Sequence, residues 1–269
     1  MAKQNFEACL AFTLAAEGGL SKDRKDPGNW TGGKVGLGEF KGTKHGISAA
    51  AFPTLDIANL TVKDVAPIYR TRYWDAVRGD ELPPGFDLAI WDYGVNSGPA
   101  RAIREAQAVI DAPVDGKAGP VTLRKAYSAG VKEIQALCAR RLSFMRGLKI
   151  WSINKNGWTA RVAKVEAKGV AMYLAATGSA SSARKALAEE SQKAAHSAEK
   201  NGNQAALVGT VGTVSVSTGI SSWTGFCLDM LVVLAAMTVI FAIYRKNRQR
   251  AEAYRAEVTA LSDVAPDRG

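Results

Sequence analysis

The stretch AAEGGLSKDRKDPGNW, residues 15–30, marks the point at which an apolar helix gives way to a loop. Glu17 follows one helical turn after Thr13, and the two glycines Gly18 and Gly19 then favour the end of the helix. The carboxylate of Glu17 is therefore expected at a helix end, beside open backbone that a ligand can approach. The residues before it recur at the spacing of one helix face: Phe6, Cys9, Leu10, Thr13 and Leu14.

Two physical effects act on the proton of Glu17. The C-terminal end of a helix carries partial negative charge, and partial burial disfavours an ionised carboxylate. Both effects raise the pKa of such a carboxyl group, as a general acid working near neutral pH requires. Taken by itself, the triplet EGG is also compatible with an ordinary solvated glutamate at a helix end.

The composition limits the class of protein. With 269 residues and 47% hydrophobic content the chain can bury a sizeable core, in one or two domains. The formal net charge of +10 indicates an anionic partner, such as nucleic acid, a membrane surface or the bacterial cell wall. No nucleic-acid-binding motif is present, so we expect no nucleic-acid partner. The three cysteines are far apart and show no metal-ligand spacing, so neither a disulfide framework nor a metal site is expected.

The first 178 residues predict a mainly helical unit with a loop and a short hairpin over residues 20–45. Beyond it, residues 179–222 are rich in Ala, Ser and Gly and predict a linker, either a solvated helix or a flexible spacer. No cleaved signal peptide is evident at the N-terminus. The segments that favour helices are 62–74, 85–96, 99–110, 119–148 and 157–176.

Residues 223–244, WTGFCLDMLVVLAAMTVIFAIY, contain a single charge and predict one C-terminal transmembrane helix. A basic tail, residues 245–269, begins with RKNRQR, whereas the twenty residues before Trp223 carry no Lys or Arg. The positive-inside rule then predicts a single-pass protein of the bacterial inner membrane, with a cytoplasmic tail and a periplasmic N-terminal unit. Because no export signal is evident, a phage lysis or export partner is a further hypothesis.

Several motifs in order resemble one family. They are EGGLSKDRKDPGNWTGG, GTKHGIS, APIYRTRYWDAV, LAIWDYGVNSGPARAIREAQ, VDGKAGPVTLRK and FMRGLKIWSINKNGWTARV. Together they resemble the N-acetylmuramidases of glycoside hydrolase family 108, over roughly residues 5–175. The resemblance implies a lysozyme-like catalytic domain at residues 1–97, a peptidoglycan-binding-like helical region at 98–178, and hydrolysis of peptidoglycan without a cofactor.

The resemblance implies that Glu17, in the EGG motif, is the proton donor. Glycoside cleavage normally uses a second carboxylate, and Asp26 is our candidate because the family's DPGG stretch lies in the same place. Asp23 is the rival, and a role of Asp26 in shaping the Asp-Pro-Gly turn is the structural alternative.

Five further residues are candidates for substrate binding. Thr43 and His45 match the family's Thr-Asn-aromatic-Gly-Ile segment, although His45 replaces the usual aromatic residue and an ordinary histidine is the alternative. Rings beside polar groups suit sugar recognition, which makes Trp74, Tyr93 and Asn96 candidates as well. A core position is the alternative for Trp74, and Asp92 is expected to brace the fold rather than to line a cleft.

The sequence thus predicts a muramidase that cleaves the β-1,4 bond between N-acetylmuramic acid and N-acetylglucosamine. Two alternatives stay open at this level. One is a lytic transglycosylase, which would leave an anhydro-sugar. The other is a wall-binding or assembly protein that keeps the fold without turnover.

Overall fold

The computed structural model describes residues 5–16, 19–218 and 223–264; the side chains of residues 16, 205, 206, 208–230 and 264 lie outside that description. The predicted mainly helical architecture is confirmed. The helices are α1 (Asn5–Ala16), α2 (Val62–Tyr69), α3 (Phe86–Ser97), α4 (Pro99–Val109), α5 (Pro120–Ala126), α6 (Val131–Arg146), α7 (Trp151–Thr177), α8 (Ala180–Thr218) and α9 (Trp223–Val264).

By packing, the chain divides into two compact units, Met1–Leu137 and Cys138–Gly269, which we call unit 1 and unit 2. Unit 1 carries every residue predicted to take part in catalysis or substrate binding. The predicted functional boundary at residues 97 and 98 lies inside unit 1, between α3 and α4. There Gly98 has a φ of +87° and Pro99 opens α4 as its first residue, the position that proline favours in a helix.

Helix α3 is the central element of unit 1. It is enclosed on all sides, with every residue from Phe86 to Gly94 buried. The ring of Phe6 lies 5.5 Å from both Trp74 and Trp91, whose own centroids are 5.3 Å apart in an edge-to-face arrangement. Each such aromatic pair adds about 0.5–1.5 kcal/mol to its burial energy. This cluster fixes α1 and the segment after α2 against α3.

The loop between α1 and α2 contains a hairpin at residues 43–48, partly beyond the 20–45 range in which the sequence placed it. Strands β1 (Thr43–Lys44) and β2 (Ile47–Ser48) pair antiparallel, with Thr43 opposite Ser48 and Lys44 opposite Ile47. The two residues that connect them, His45 and Gly46, both have positive φ, 50° and 70°. Positive φ at both central residues is the requirement of a type I′ turn, whose twist matches that of the flanking strands.

Unit 2 is built on α7, α8 and α9, which pack against one another. Residues 180–218, in the segment expected to be a solvated helix or a flexible spacer, form helix α8, and this helix is packed against α9. Its buried residues are small or aliphatic and recur at helical spacing, which lets α9 approach closely: Ala183, Leu187, Ser191, Ala194 and Ala198. The Ser191 hydroxyl donates a 3.0 Å hydrogen bond to the carbonyl oxygen of Ala251 in α9.

The prediction of a transmembrane helix over residues 223–244 is wrong by this structure. Within the part of the chain that the structure describes, no helix has the length and the apolar character needed to cross a membrane. The predicted span is instead the first half of α9, which continues as one helix to Val264. The later turns of α9 carry charged residues and bury Ala251 and Tyr254 inside unit 2.

Candidate active site

The last described turn of α1 is anchored to α3 by buried hydrogen bonds. The hydroxyl of Thr13 donates to the Asp92 carboxylate at 3.1 Å and accepts from the indole nitrogen of Trp91 at 3.1 Å. None of these three side chains is exposed to solvent. The role of Asp92 as a brace agrees with the sequence-based expectation. The hydrogen bonds fix the direction of the helix end that precedes Glu17 in the sequence; Glu17 itself lies outside the described residues.

A second buried carboxylate holds the beginning of α1. Asp87 accepts hydrogen bonds from the Asn5 side chain at 2.8 Å and from the backbone amides of Gly85 and Leu88 at 2.7 and 2.6 Å. Burial raises the pKa of Asp87 from 3.8 to about 6, against the lowering effect of these hydrogen bonds. Helix α1 is thus held to α3 near both of its ends, at Asn5 and at Thr13.

Asp26, the predicted second carboxylate, shapes a turn. It precedes the short 3₁₀ helix Pro27–Asn29, and one of its oxygens accepts a 2.8 Å hydrogen bond from the Gly28 amide. Asp23 is engaged in the same manner with the Lys25 amide at 2.9 Å. Both aspartates are exposed, so each carboxylate is accessible to solvent while it stabilises the loop.

Asn29 connects the parts of this loop and is completely buried. Its side-chain oxygen accepts a 2.7 Å hydrogen bond from the Thr43 hydroxyl, and its amide donates to the backbone oxygen of Asp23 at 2.9 Å. The Asn29 backbone oxygen accepts from the amides of Lys41 and Gly42 at 3.1 and 3.0 Å. Thr43 is thereby held beside the segment that carries Asp23 and Asp26.

Backbone pairing brings the residues just after the EGG motif onto the hairpin. The amide of Ser21 donates to the oxygen of Thr43 at 2.8 Å, and the amide of Thr43 returns a hydrogen bond to Ser21 at 3.0 Å. Gly42 makes this approach feasible: its φ is +90°, and a Cβ atom there would lie 2.5 Å from the Ser21 oxygen. The segment after Gly19 and the GTKHG motif are therefore neighbours in space.

His45 sits at the tip of the hairpin and is half-buried. Its backbone oxygen accepts a 3.0 Å hydrogen bond from the hydroxyl of Tyr69 in α2, which fixes the turn to the helical part of unit 1. Its Nδ1 atom is enclosed and has no hydrogen-bond partner among the described residues. The ring therefore has a hydrogen-bonding position that the described chain does not use.

Three more predicted residues fall in two different environments. Trp74 and Tyr93 are completely buried, and the Trp74 indole donates to Asp80 at 2.9 Å. Neither ring is exposed for stacking on a sugar. Trp74 therefore occupies the core position that was the alternative interpretation for it. Asn96 is exposed near the C-terminal end of α3.

Across residues 5–16, 19–218 and 223–264, no group of three or more His, Cys, Asp or Glu side chains is placed to hold a metal ion. The loop presents exposed carboxylates, a hydroxyl and an amide and is fixed by buried hydrogen bonds, which suits proton transfer and hydrogen bonding to a polar substrate.

Asn29, Asp87 and the acceptor role of Thr13 were not anticipated from the sequence. Asn29 lies two residues after proline in DPGN, where an asparagine commonly serves the turn. Asp87 follows a glycine at a helix start, where an exposed N-terminal acid is the ordinary interpretation. An acid inside an otherwise apolar run, as in FDLAIWDY, is the signal that could have revealed both buried aspartates.

Comparison with known proteins places this fold and site among the glycoside hydrolases. Residues 10–98 match the family model described as Glycosyl hydrolase 108. Eight chains of solved structures match the protein. One of them, from the structure of Brucella abortus SagA, is 33% identical with a TM-score of 0.54, and the match covers 64% of this chain and 97% of that chain. No match was found among curated proteins.

The protein is thus a glycoside hydrolase, as the family model and the solved relative agree. It belongs to the glycosyl hydrolase 108 family, which implies peptidoglycan as the substrate. The matched segment runs from Leu10 in α1 to Gly98 after α3, so it includes the EGG motif, the aspartate loop, the hairpin and the central helix.

Proposed function

We propose that the protein is an N-acetylmuramidase that hydrolyses the β-1,4 bond between N-acetylmuramic acid and N-acetylglucosamine, with Glu17 as general acid. The observation that supports this most directly is the anchoring of α1 by Thr13, Trp91 and Asp92. A general acid must be held within hydrogen-bond reach of the leaving oxygen, and a fixed helix immediately before Glu17 provides a rigid support.

The second group in the proposed reaction is Asp26. Glu17 protonates the glycosidic oxygen as the bond breaks, and positive charge develops at the anomeric carbon. Asp26 stabilises that charge or activates the attacking water, and the exposure of its carboxylate permits either role. The hydrogen bond from the Gly28 amide occupies one of its oxygens. Asp23, six residues after Glu17, is the rival for the same role.

The substrate-binding part of the proposal rests on accessibility. Thr43, His45 and Asn96 are half-buried or exposed, so their polar groups can meet sugar hydroxyl or acetamido groups. Trp74 and Tyr93 act in this proposal by supporting α3 rather than by stacking on the sugar.

The decisive experiment is product analysis of purified peptidoglycan after incubation with the full chain. Products reduced with borohydride and analysed by mass spectrometry are expected to carry reducing N-acetylmuramic acid ends. Glu17→Gln, which cannot donate the proton, is expected to lower the rate about 10²–10⁴-fold. Glu7→Gln is the matched control, because Glu7 is an exposed glutamate of α1, the helix that precedes Glu17 in the sequence.

Each alternative outcome would assign the protein to a different functional class. Anhydro-muramic ends would mean a lytic transglycosylase, and reducing N-acetylglucosamine ends would mean cleavage of the other glycosidic bond. Intact glycan, with the folded protein sedimenting with the wall, would mean a binding protein. Equal rates for Glu17→Gln and Glu7→Gln would remove Glu17 from the reaction while leaving the hydrolase class intact. Asp26→Asn and Asp23→Asn, tested side by side, then distinguish the two candidates for the second group.

A further inference from the structure

Unit 2 contains a cavity of about 430 Å³ that takes no part in the proposed hydrolysis. It lies between the first turns of α7, the end of α6 and the middle of α9. Its apolar wall includes Trp151, Phe241 and Ile243. A volume of this size is within the range of about 300–1,000 Å³ found for small-molecule sites in proteins.

The polar part of the same cavity is strongly cationic. Arg146, Lys155, Arg245 and Lys246 line it, and none of the described residues that line it is acidic. No carboxylate of the described chain forms an ion pair with any of these four side chains. Cations gathered without counter-charges repel one another, and an anion bound among them would relieve that repulsion.

The neighbouring Arg250, in contrast to these four cations, is neutralised by a carboxylate. Arg250 donates to one oxygen of the buried Glu166 at 2.9 and 2.5 Å, and the Tyr254 hydroxyl donates to the same oxygen at 2.9 Å. Lys246 has no such partner among the described residues. Burial, followed by repulsion from Arg250 and Arg146, lowers the pKa of Lys246, and the attraction of Glu166 opposes this only in part.

One residue of the cavity wall also carries an unsatisfied polar atom. The side-chain oxygen of Gln249 is enclosed and has no hydrogen-bond partner among the described residues. A buried amide oxygen left without a donor costs about 1–3 kcal/mol. A ligand donor in the cavity would satisfy this oxygen if the Gln249 side chain turned toward it.

Large apolar side chains at and near the cavity are also exposed. Ile153 of α7 is 81% exposed, and Phe241 of α9 is 58% exposed. Exposed apolar side chains beside a cationic rim suit a ligand that carries an apolar part. A ligand that fits must therefore be apolar at one end and anionic at the other.

We propose that this cavity binds an anionic amphiphile. Arg146, Lys155, Arg245 and Lys246 hold its phosphate or carboxylate head, and its alkyl chain lies against Trp151, Phe241 and Ile243. The site is separate from the residues assigned to peptidoglycan cleavage, all of which belong to unit 1. Binding therefore stands or falls independently of the hydrolase activity.

Isothermal titration calorimetry of the full chain with monomeric dodecyl phosphate, below its micelle concentration, tests the proposal. We expect one site per chain, with dodecylphosphocholine and inorganic phosphate each binding at least tenfold more weakly. Lys246→Gln is expected to weaken dodecyl phosphate binding at least tenfold. Arg248→Gln is the matched control, because Arg248 is on the same helix but is paired with Glu252 and is not part of the cavity wall.

Three results would overturn the proposal. Equal binding of dodecyl phosphate and dodecylphosphocholine would show that the head group is not recognised. Inorganic phosphate binding as tightly as dodecyl phosphate would show a site for a free anion without a chain. Unchanged binding in both Lys246→Gln and Lys155→Gln would place the ligand elsewhere. Thermal melting of each variant, with Lys155→Gln as the second one, separates lost binding from lost folding.

Discussion

The hydroxyl of Thr13 in α1 donates a hydrogen bond of 3.1 Å to the carboxylate of Asp92 in α3, 79 residues further along the chain. This bond is buried and joins the end of the helix that precedes Glu17 to the central helix of the unit. A substitution that breaks this hydrogen bond would therefore displace the helix end that supports Glu17, without altering the Glu17 carboxyl group itself.

Thr13→Val is expected to lower the free energy of unfolding by about 1–3 kcal/mol, because a methyl group replaces the hydroxyl that serves Trp91 and Asp92. The rate of peptidoglycan hydrolysis should fall about tenfold or more, since small misplacements of a catalytic group are costly. Denaturant titration and initial rates measure the two effects. Thr13→Ser keeps the hydroxyl and should retain most of the activity; if Thr13→Val matches the wild type in both, the bond does not support the site.

Asp87 should make stability depend on pH. Its pKa is about 6 in the folded protein and 3.8 ordinarily, so the folded state favours the protonated carboxyl. The stabilising contribution is complete below pH 4 and is lost as the pH rises to about 6, an effect of about 2–3 kcal/mol. Asp87→Asn removes this titration. Its stability relative to wild type should therefore increase from pH 4 to pH 7 in parallel denaturant titrations, and a difference that stays constant would contradict the assignment.

Gly42→Ala should destabilise unit 1 more than Gly36→Ala. Both glycines have positive φ, 90° and 81°, so both variants incur a backbone strain of about 1–2 kcal/mol. At Gly42 the added carbon also meets the Ser21 oxygen at 2.5 Å, whereas at Gly36 nothing lies within 4 Å. Differential scanning calorimetry of the pair isolates the close contact. Equal melting temperatures would mean that the Ser21 and Thr43 segments can separate at little cost.

The variant His45→Asn distinguishes a role of His45 in the turn from a role in substrate binding. Asparagine followed by glycine is the preferred pair in a type I′ turn, so the variant should be as stable as the wild type or more stable, by up to about 1 kcal/mol. If the His45 ring contacts the substrate, KM should rise while the melting temperature does not fall. Wild-type kinetics in His45→Asn would restrict His45 to a role in the turn.

Glu166→Gln should destabilise unit 2 by about 3 kcal/mol, because Arg250 then stays largely buried without a counter-charge. Glu166 has 6% of its side chain exposed and Arg250 has 24%. Arg248→Ala breaks the exposed pair with Glu252 and should cost about 0.3–0.5 kcal/mol. Urea titration compares the two variants, and a similar small loss in both would show that the buried pair is not a structural requirement.

Long-range hydrogen bonds explain why part of the site was not predictable. The periodicity of α1 placed Thr13 on the core face, but the identity of its partner depends on α3 packing beside it. The DPG turn was evident from the sequence, whereas the burial of Asn29 depends on the Thr43 hydroxyl approaching from 14 residues away. Trp74 was a candidate for sugar stacking because a sequence does not reveal which aromatic rings the core encloses.

Residues 223–244 illustrate the same limit for a whole segment. A long apolar run satisfies the composition of a membrane span, and composition was the only criterion that the sequence offered. In the structure the run belongs to one long helix, α9, whose later turns pack on α7 and α8. The small residues of α8 had indicated a linker, although they are also the residues that allow two helices to pack closely.

The sequence by itself determined the helical class, the helix that begins at Pro99 and the family with its implied acid at Glu17, because local propensities and ordered motifs depend on residues that are adjacent in the chain. Tertiary structure alone decided that Thr13, Asn29 and Asp87 are buried supports. It also decided that cations without a carboxylate partner among the described residues gather around a cavity in unit 2. Burial and charge neutralisation depend on residues that are distant in sequence, and only the packed chain brings those residues together.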